Sequence, residues 1–384
     1  MRVLTILALV LLTLPLSVAQ WSEVATGSEA RFRGVSAVDG SVVWASGTTG
    51  TVVRSLDGGA TWTAWQVEGA AALDLRDIDA FDAETAYALS IGSGGDSRIF
   101  KTDDGGAAWR TQFVNEEADG FFDAMAFWDR DRGLAVSDSL SGEFYVIRTD
   151  NGGRTWERVP PDGMPAALAG EGFFAASGTN VTTWGARHAW FGTGAAARSR
   201  VARTTDSGST WQIVDTPLPA GPSAGIFSIA FRDADNGIVV GGDYRREDEA
   251  VDNAAVTRDG GRTWELVEGA GLSGFRSAVG YLPGSSPATL IAIGPSGADI
   301  STDDGRSWRP LEAPTGMHTL SFGPAAPVAW AAGEGGRVAR FAALPSASPE
   351  RGLALVEKGL KPLREVVALE ALFLRLGLSR QRRL

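Results

Sequence analysis

Cysteine is absent from this 384-residue chain, which excludes disulfides, thiol nucleophiles, thiolate metal sites and a cysteine-linked lipid anchor. Histidine occurs only twice, at His188 and His318, too few for an imidazole cluster. The acidic stretch 243–252 lacks the spacing of a calcium loop, so no metal site is expected. The serines and threonines of the repeated turns described below are explained by the turns themselves, and no G-x-G-x-x-G opens a helix, so neither a serine triad nor a nicotinamide or flavin cofactor has a visible site. The reading is a protein without cofactor. Basic residues are outnumbered, 35 against 46 acidic, and the formal net charge of −11 argues against affinity for nucleic acid. The apolar run from Val3 to about Leu16 is too short to span a bilayer. It follows Met1 and Arg2, and Ser17 and Ala19 set small residues at −3 and −1, so residues 1–19 read as a signal peptide. An exported chain, periplasmic or extracellular, with no transmembrane segment after cleavage, is the expectation.

What the chain has in quantity is glycine (49), tryptophan (13) and a pattern that repeats. Ser55-Leu56-Asp57-Gly58-Gly59-Ala60-Thr61-Trp62 sets the form S/T-x-D-x-G-x-T-W. Variants end at Trp109, Trp156, Trp211, Trp264 and Trp308, at intervals of 47, 47, 55, 53 and 44 residues. Such a period is the length of one four-stranded propeller blade, a unit that buries its faces only by stacking on its neighbours. The motif needs no ligand to explain it. Its carboxylate accepts backbone N–H bonds, its glycine takes the positive φ of a tight hairpin, and its tryptophan supplies apolar surface between blades. Asp57, Asp104, Asn151, Asp206, Asp259 and Asp303 are therefore assigned a structural turn role; Asn151 makes the same turn as aspartate.

Short β segments separated by glycine-rich turns precede each motif, so every unit offers three strands, the turn, and an outer strand starting at the tryptophan, as in Trp211-Gln212-Ile213-Val214. The same signature stands alone at Trp21-Ser22-Glu23-Val24. Met317 to Phe341 holds three strand candidates but no motif after them. The two pieces complement each other, so residues 21–24 should pair with Arg337–Phe341 and close a ring of six full blades and one shared blade. The fold class is all-β: a seven-bladed propeller over 20–342, with one face carrying the loops between blades and the other the Asp turns. Beyond it, 343–384 reads as a linker and a short amphipathic helix along Leu353, Val356, Leu360, Leu363, Val367 and Leu374, interrupted at Pro362.

These copies look like the BNR/Asp-box repeat, and the unit Phe32-Arg33-Gly34-Val35 … Trp44-Ala45-Ser46-Gly47 … Asp57-Gly58-Gly59 … Thr61-Trp62 resembles the photosystem II stability/assembly-factor-like family over about residues 21–342. The resemblance implies a seven-bladed, exported or lumenal binding or assembly factor that is not an enzyme. Sialidases also carry Asp boxes, so an exo-glycoside hydrolase is the alternative. Phe32-Arg33-Gly34-Val35 is similar to their F-R-I-P motif but lacks its proline. Their chemistry also needs a tyrosine nucleophile, and this chain has four tyrosines. Tyr281 aligns with Phe81, Phe127, Phe231 and Phe322 of other blades and reads as a core aromatic.

The first residues of the inner strands can ring the channel mouth on the loop-bearing face. Arg33, Arg76 and Arg276 fall there in blades one, two and six, with Asp77, Asp123, Phe227 and His318 within one residue of register. Three arginines facing one funnel suit a carboxylate or an acidic protein segment; alternatively they pair with Asp77, Asp123 and backbone carbonyls. Blade four deviates, with a long loop from Pro160 to Gly172, and Ser177 and Asn180 could add hydrogen bonds at the same mouth. A charged insertion at 242–253 offers Tyr244, Arg245 and Arg246 as loop contacts. A monomer that binds a protein or peptide partner, acidic in character, is the expectation.

Overall fold

The computed structural model describes residues 20–269, 271–323 and 328–342. The signal-peptide and C-terminal-helix expectations fall on 1–19 and 343–384, outside the described residues.

Seven antiparallel sheets of four strands each follow one another along the chain. Blade one is Phe32–Ala37, Val43–Gly47, Thr51–Ser55 and Thr63–Gln66, paired in sequence order from the inside outwards. The innermost strands of successive blades pack side by side, and that of blade seven packs against that of blade one. The ring closes as the two incomplete sequence pieces require: Gln20–Ala25 is the fourth strand of blade seven, with Trp21 opposite Phe341 and Val24 opposite Val338. The Trp21 ring rests on Phe341 at 5.3 Å. Closure gives blade seven the outer strand that the other six blades have and covers the edge of Arg337–Ala342.

The repeated turns are built by their own side chains. At Asp57, one carboxylate oxygen accepts the Thr61 N–H at 2.8 Å and the Ser55 hydroxyl at 2.9 Å, while the other accepts the Thr61 hydroxyl at 2.6 Å. The backbone N–H four residues on points at the same oxygen in the other five copies, Asn151 included. Gly59 has φ +89°, and a Cβ there would collide with the Trp330 ring of blade seven, so glycine is required twice over. The outer strands start one residue later than expected, at Thr63, Gln212 and Glu265 for example. The tryptophan closes the turn instead and turns its ring between blades: Trp62 meets Trp330 edge-on at 6.2 Å and Trp264 meets Phe231 at 6.1 Å.

These turns make the fold sensitive to acid. The hydroxyl of Thr61, then its backbone N–H and the Ser55 hydroxyl, hold the Asp57 carboxyl down at about 2. At Asp259 partial burial pushes upward, but the N–H and hydroxyl of Thr263 outweigh it and the group also sits at about 2. A folded value below the unfolded one, about 3.9, means stability that is full above pH 4 and lost as pH falls towards 2. Asp259→Asn should therefore flatten the decline of unfolding free energy between pH 4 and 2, measured by denaturant titration. An unchanged decline would show that the turn carboxylate is not the acid-sensitive group.

Candidate functional site

Five of the seven inner strands carry a register break near their start, those of blades four and six being regular. The residue skipped by the ladder is Arg33 in blade one, Arg76 in blade two, Asp123 in blade three, Phe227 in blade five and His318 in blade seven. A bulge leaves one residue outside the pairing and re-aims its side chain. All five line a cavity of about 730 Å³ at one end of the channel, joined by Ser277, the equivalent residue of blade six. Two positions further on, Val35, Ile78, Met125, Val181, Ile229, Val279 and Leu320 form an apolar ring contributed by all seven blades, each 2–8% exposed.

The floor of the cavity is the blade-four segment Phe173–Ser177, which crosses the channel. Arg33 donates to the Ala176 carbonyl at 3.3 Å and Arg76 to that of Ala175 at 2.8 Å. Ser177 donates its hydroxyl to the Ser277 carbonyl at 2.7 Å, and Thr319 donates to the Ser177 carbonyl at 2.8 Å. Gly178 lets the chain turn down with φ +72°, against Asp77 where a Cβ would clash. The plug is held from behind by Glu171, wholly buried, whose carboxylate accepts from Arg200 Nε at 2.8 Å and the Thr193 hydroxyl at 2.6 Å. Buried charges survive only when paired and hydrogen-bonded in this way.

Electrostatically the mouth is uneven. Arg31 and Arg76 share Asp74, at 3.5 and 2.9 Å. Among the described residues Arg33 has no ion-pair partner, and its Nε is buried without an acceptor. Burial, followed by the charges of Arg76 and Arg31, lowers Arg33 to about 10, so it is still a cation at neutral pH. Beside Arg76, on the next blade, Asp123 is 1% exposed, with Oδ2 unpartnered; burial and then the Asp138 charge push its carboxyl well above the usual range. His318 Nε2 lies 2.7 Å from Glu334, and burial and the Arg33 charge lower the imidazole to about 4. On the blade-five side, Phe174 stacks on Phe227 at 4.1 Å, and Tyr244 and Phe275 meet Phe227 edge-on.

Six of the residues singled out in the sequence therefore meet here: Arg33, Arg76, Asp123, Phe227, Tyr244 and His318. The others do not. Arg276 stands one place earlier than Arg33 and Arg76, in the register of Phe32, Leu75 and Phe122, and is buried in an ion pair with Asp299 at 2.8 Å. Asp77 follows the bulge and points to the next blade, where it accepts the Met125 N–H at 2.7 Å. Ser177 is consumed by the plug, and the Asn180 amide donates to the Phe174 carbonyl at 3.2 Å, both being almost wholly buried. Arg245 and Arg246 do not line the cavity; Arg246 pairs with Asp243 and Glu249 of its own loop, and Arg245 lies over the Tyr244 ring. Sequence reasoning missed Phe174, Phe275, Asp138 and Glu247, which also line the mouth. Aligning the blades on the apolar ring, rather than on their first residue, would have selected Ser277 over Arg276.

The Tyr281 hydroxyl is buried and its ring packs beside Val279 between blades five and six, as expected of a core aromatic. Among the described residues no cluster of His, Asp and Glu could hold a metal ion, and no helix is long and apolar enough to cross a membrane.

Architecture and site together define a seven-bladed β-propeller with a cup at one end of its channel. Solved structures similar to it include YCF48 bound to a D1 peptide (TM-score 0.59, 16% identity, covering 84% of this chain and 97% of that one) and YCF48 from Cyanidioschyzon merolae (0.57, 15%, 84% and 99%). The GH74 xyloglucanase of Xanthomonas campestris also matches (0.57, 19%), over 87% of this chain and 55% of its own. At these identities the likeness shows the fold alone. No family model matches the sequence, and no curated protein does.

Proposed function

We propose that this chain is an exported, non-catalytic binding propeller of the Asp-box, assembly-factor-like kind, which recognises a carboxylate-bearing protein segment at the mouth of its channel. One observation carries the reading: three guanidinium groups, Arg31, Arg33 and Arg76, gather at one rim, where Asp74 pairs with Arg31 and Arg76, Glu334 is hydrogen-bonded to His318, and Arg33 is left without an ion pair among the described residues. A ligand carboxylate would relieve that excess and could be held in forked geometry. The similar YCF48 structure with a D1 peptide bound supports a peptide as the ligand class. The signal-peptide pattern of 1–19 supports export.

Replacing Arg33 and Arg76 by methionine keeps their aliphatic stems packed while removing both charges. The double variant should bind any partner captured from the native cell envelope about a hundredfold to ten-thousandfold more weakly, at about 1.5–3 kcal/mol for the charged hydrogen bond lost at each arginine. Thermal unfolding verifies that the variant is folded. Equal recovery of the same partners by both forms would sink the reading, and release of sugar from a model sialoside by the wild type would promote the glycosidase instead.

A further inference from the structure

We infer that the mouth contains two subsites, and that its occupant is an amphipathic peptide segment with one carboxylate beside an aromatic or large aliphatic side chain. The inference rests on the binding reading above and narrows its ligand. The two halves of the wall differ in chemistry. Blades seven, one, two and three present His318, Arg33, Arg76 and Asp123, whereas Phe174 and Tyr244 face them from the other side.

Three features favour a mixed ligand over a run of acidic residues. First, Glu247 and Glu334 line the same cavity as the arginines, so further ligand carboxylates would meet like charge. Second, Tyr244 is 40% exposed although its ring meets both Phe174 and Phe227 at 6.1 Å, which leaves an aromatic face open to water beside the cavity. Binding sites are mostly apolar and aromatic with a few placed polar groups, and exposed rigid rings of this kind anchor partner side chains. Third, buried Asp123 Oδ2, Arg33 Nε and His318 Nδ1 have no partner within the protein. An acceptor oxygen, a donor nitrogen and a ring nitrogen together match the N–H and C=O groups of a peptide backbone, and an unmet buried polar group costs stability until something pairs with it. The cavity, about 730 Å³, is large enough for a carboxylate and a bulky side chain at once.

The test is a random-peptide display selection on the full chain, run on the wild type, on Arg33→Met/Arg76→Met, and on Tyr244→Ala, whose exposed ring can be removed without unfolding the blade. The wild type is expected to enrich peptides with Asp, Glu or a free C-terminus within a few residues of Phe, Tyr, Trp or Leu. Tyr244→Ala should bind an enriched peptide about tenfold more weakly, the usual effect of removing one aromatic ring and its buried area from a binding site. It should also lose the apolar preference while keeping the acidic one. Enrichment of acidic peptides with no apolar position, or equal binding of the same peptide by Tyr244→Ala, overturns the two-subsite inference and leaves the binding reading standing. If the arginine double variant enriches the same peptides as the wild type, both fail.

Discussion

Arg276→Ala is expected to destabilise the propeller by about 3–5 kcal/mol, the usual consequence of leaving one member of a buried ion pair alone. The side chains of Arg276 and Asp299 are 3% and 0% exposed. Arg276 Nε donates to Asp299 Oδ2 at 2.8 Å, Nη2 to the Ser273 hydroxyl at 2.7 Å and Nη1 to the Phe275 carbonyl at 2.7 Å. Alanine would strip these bonds, and that of Nη1 to the Ser296 hydroxyl, and leave the buried Asp299 carboxylate without its cation, held only by the Ser273 N–H and hydroxyl. Arg276→Met with Asp299→Leu should recover much of the loss, because removing both charges also removes both desolvation costs. Denaturant unfolding of the three proteins measures this. A single variant within about 1 kcal/mol of wild type, but with weakened partner binding, would return Arg276 to the mouth and refute its placement.

Deleting Trp21–Ala25 should have the largest effect of any short change, about 5 kcal/mol or more. It removes a buried tryptophan and one side of a strand ladder from blade seven together. Trp21 is 7% exposed, and its loss would uncover Phe341, now 1% exposed. The freed edge of Arg337–Ala342 is also a template for pairing with another chain, so aggregation should accompany the lower unfolding midpoint. A monomeric deletion variant that unfolds at the wild-type midpoint would show that the ring does not depend on this closure.

Much of this architecture was legible in the sequence. The turn at Asp57 is built from atoms within seven residues, Ser55 to Thr61, so its chemistry can be read without knowing anything else about the fold. The orphan strand at Trp21 and the motif-less strands after Met317 could be matched because each lacked what the other had. The mouth was legible only in part. Arg33 and Arg76 were found because they open their inner strands at equivalent positions of the repeat, and Arg276 was misplaced because a bulge shifts the alternation by one and glycine, serine and arginine all stand near that point in different blades. Nothing local marks Phe174 or Glu247 as neighbours of Arg33.

By itself, then, the sequence determined the blade count, the turns and the closure, since these rest on short-range hydrogen bonding, two-residue alternation and a repeat that copies the same solution six times. Tertiary structure alone decided which residues face the channel. That choice depends on where the ladder slips between strands and on contacts made across the axis by residues far apart in the chain, such as Arg33 with Ala176 and Ser177 with Ser277. No local propensity encodes a contact at that separation; the packed ring has to exist before those groups can meet.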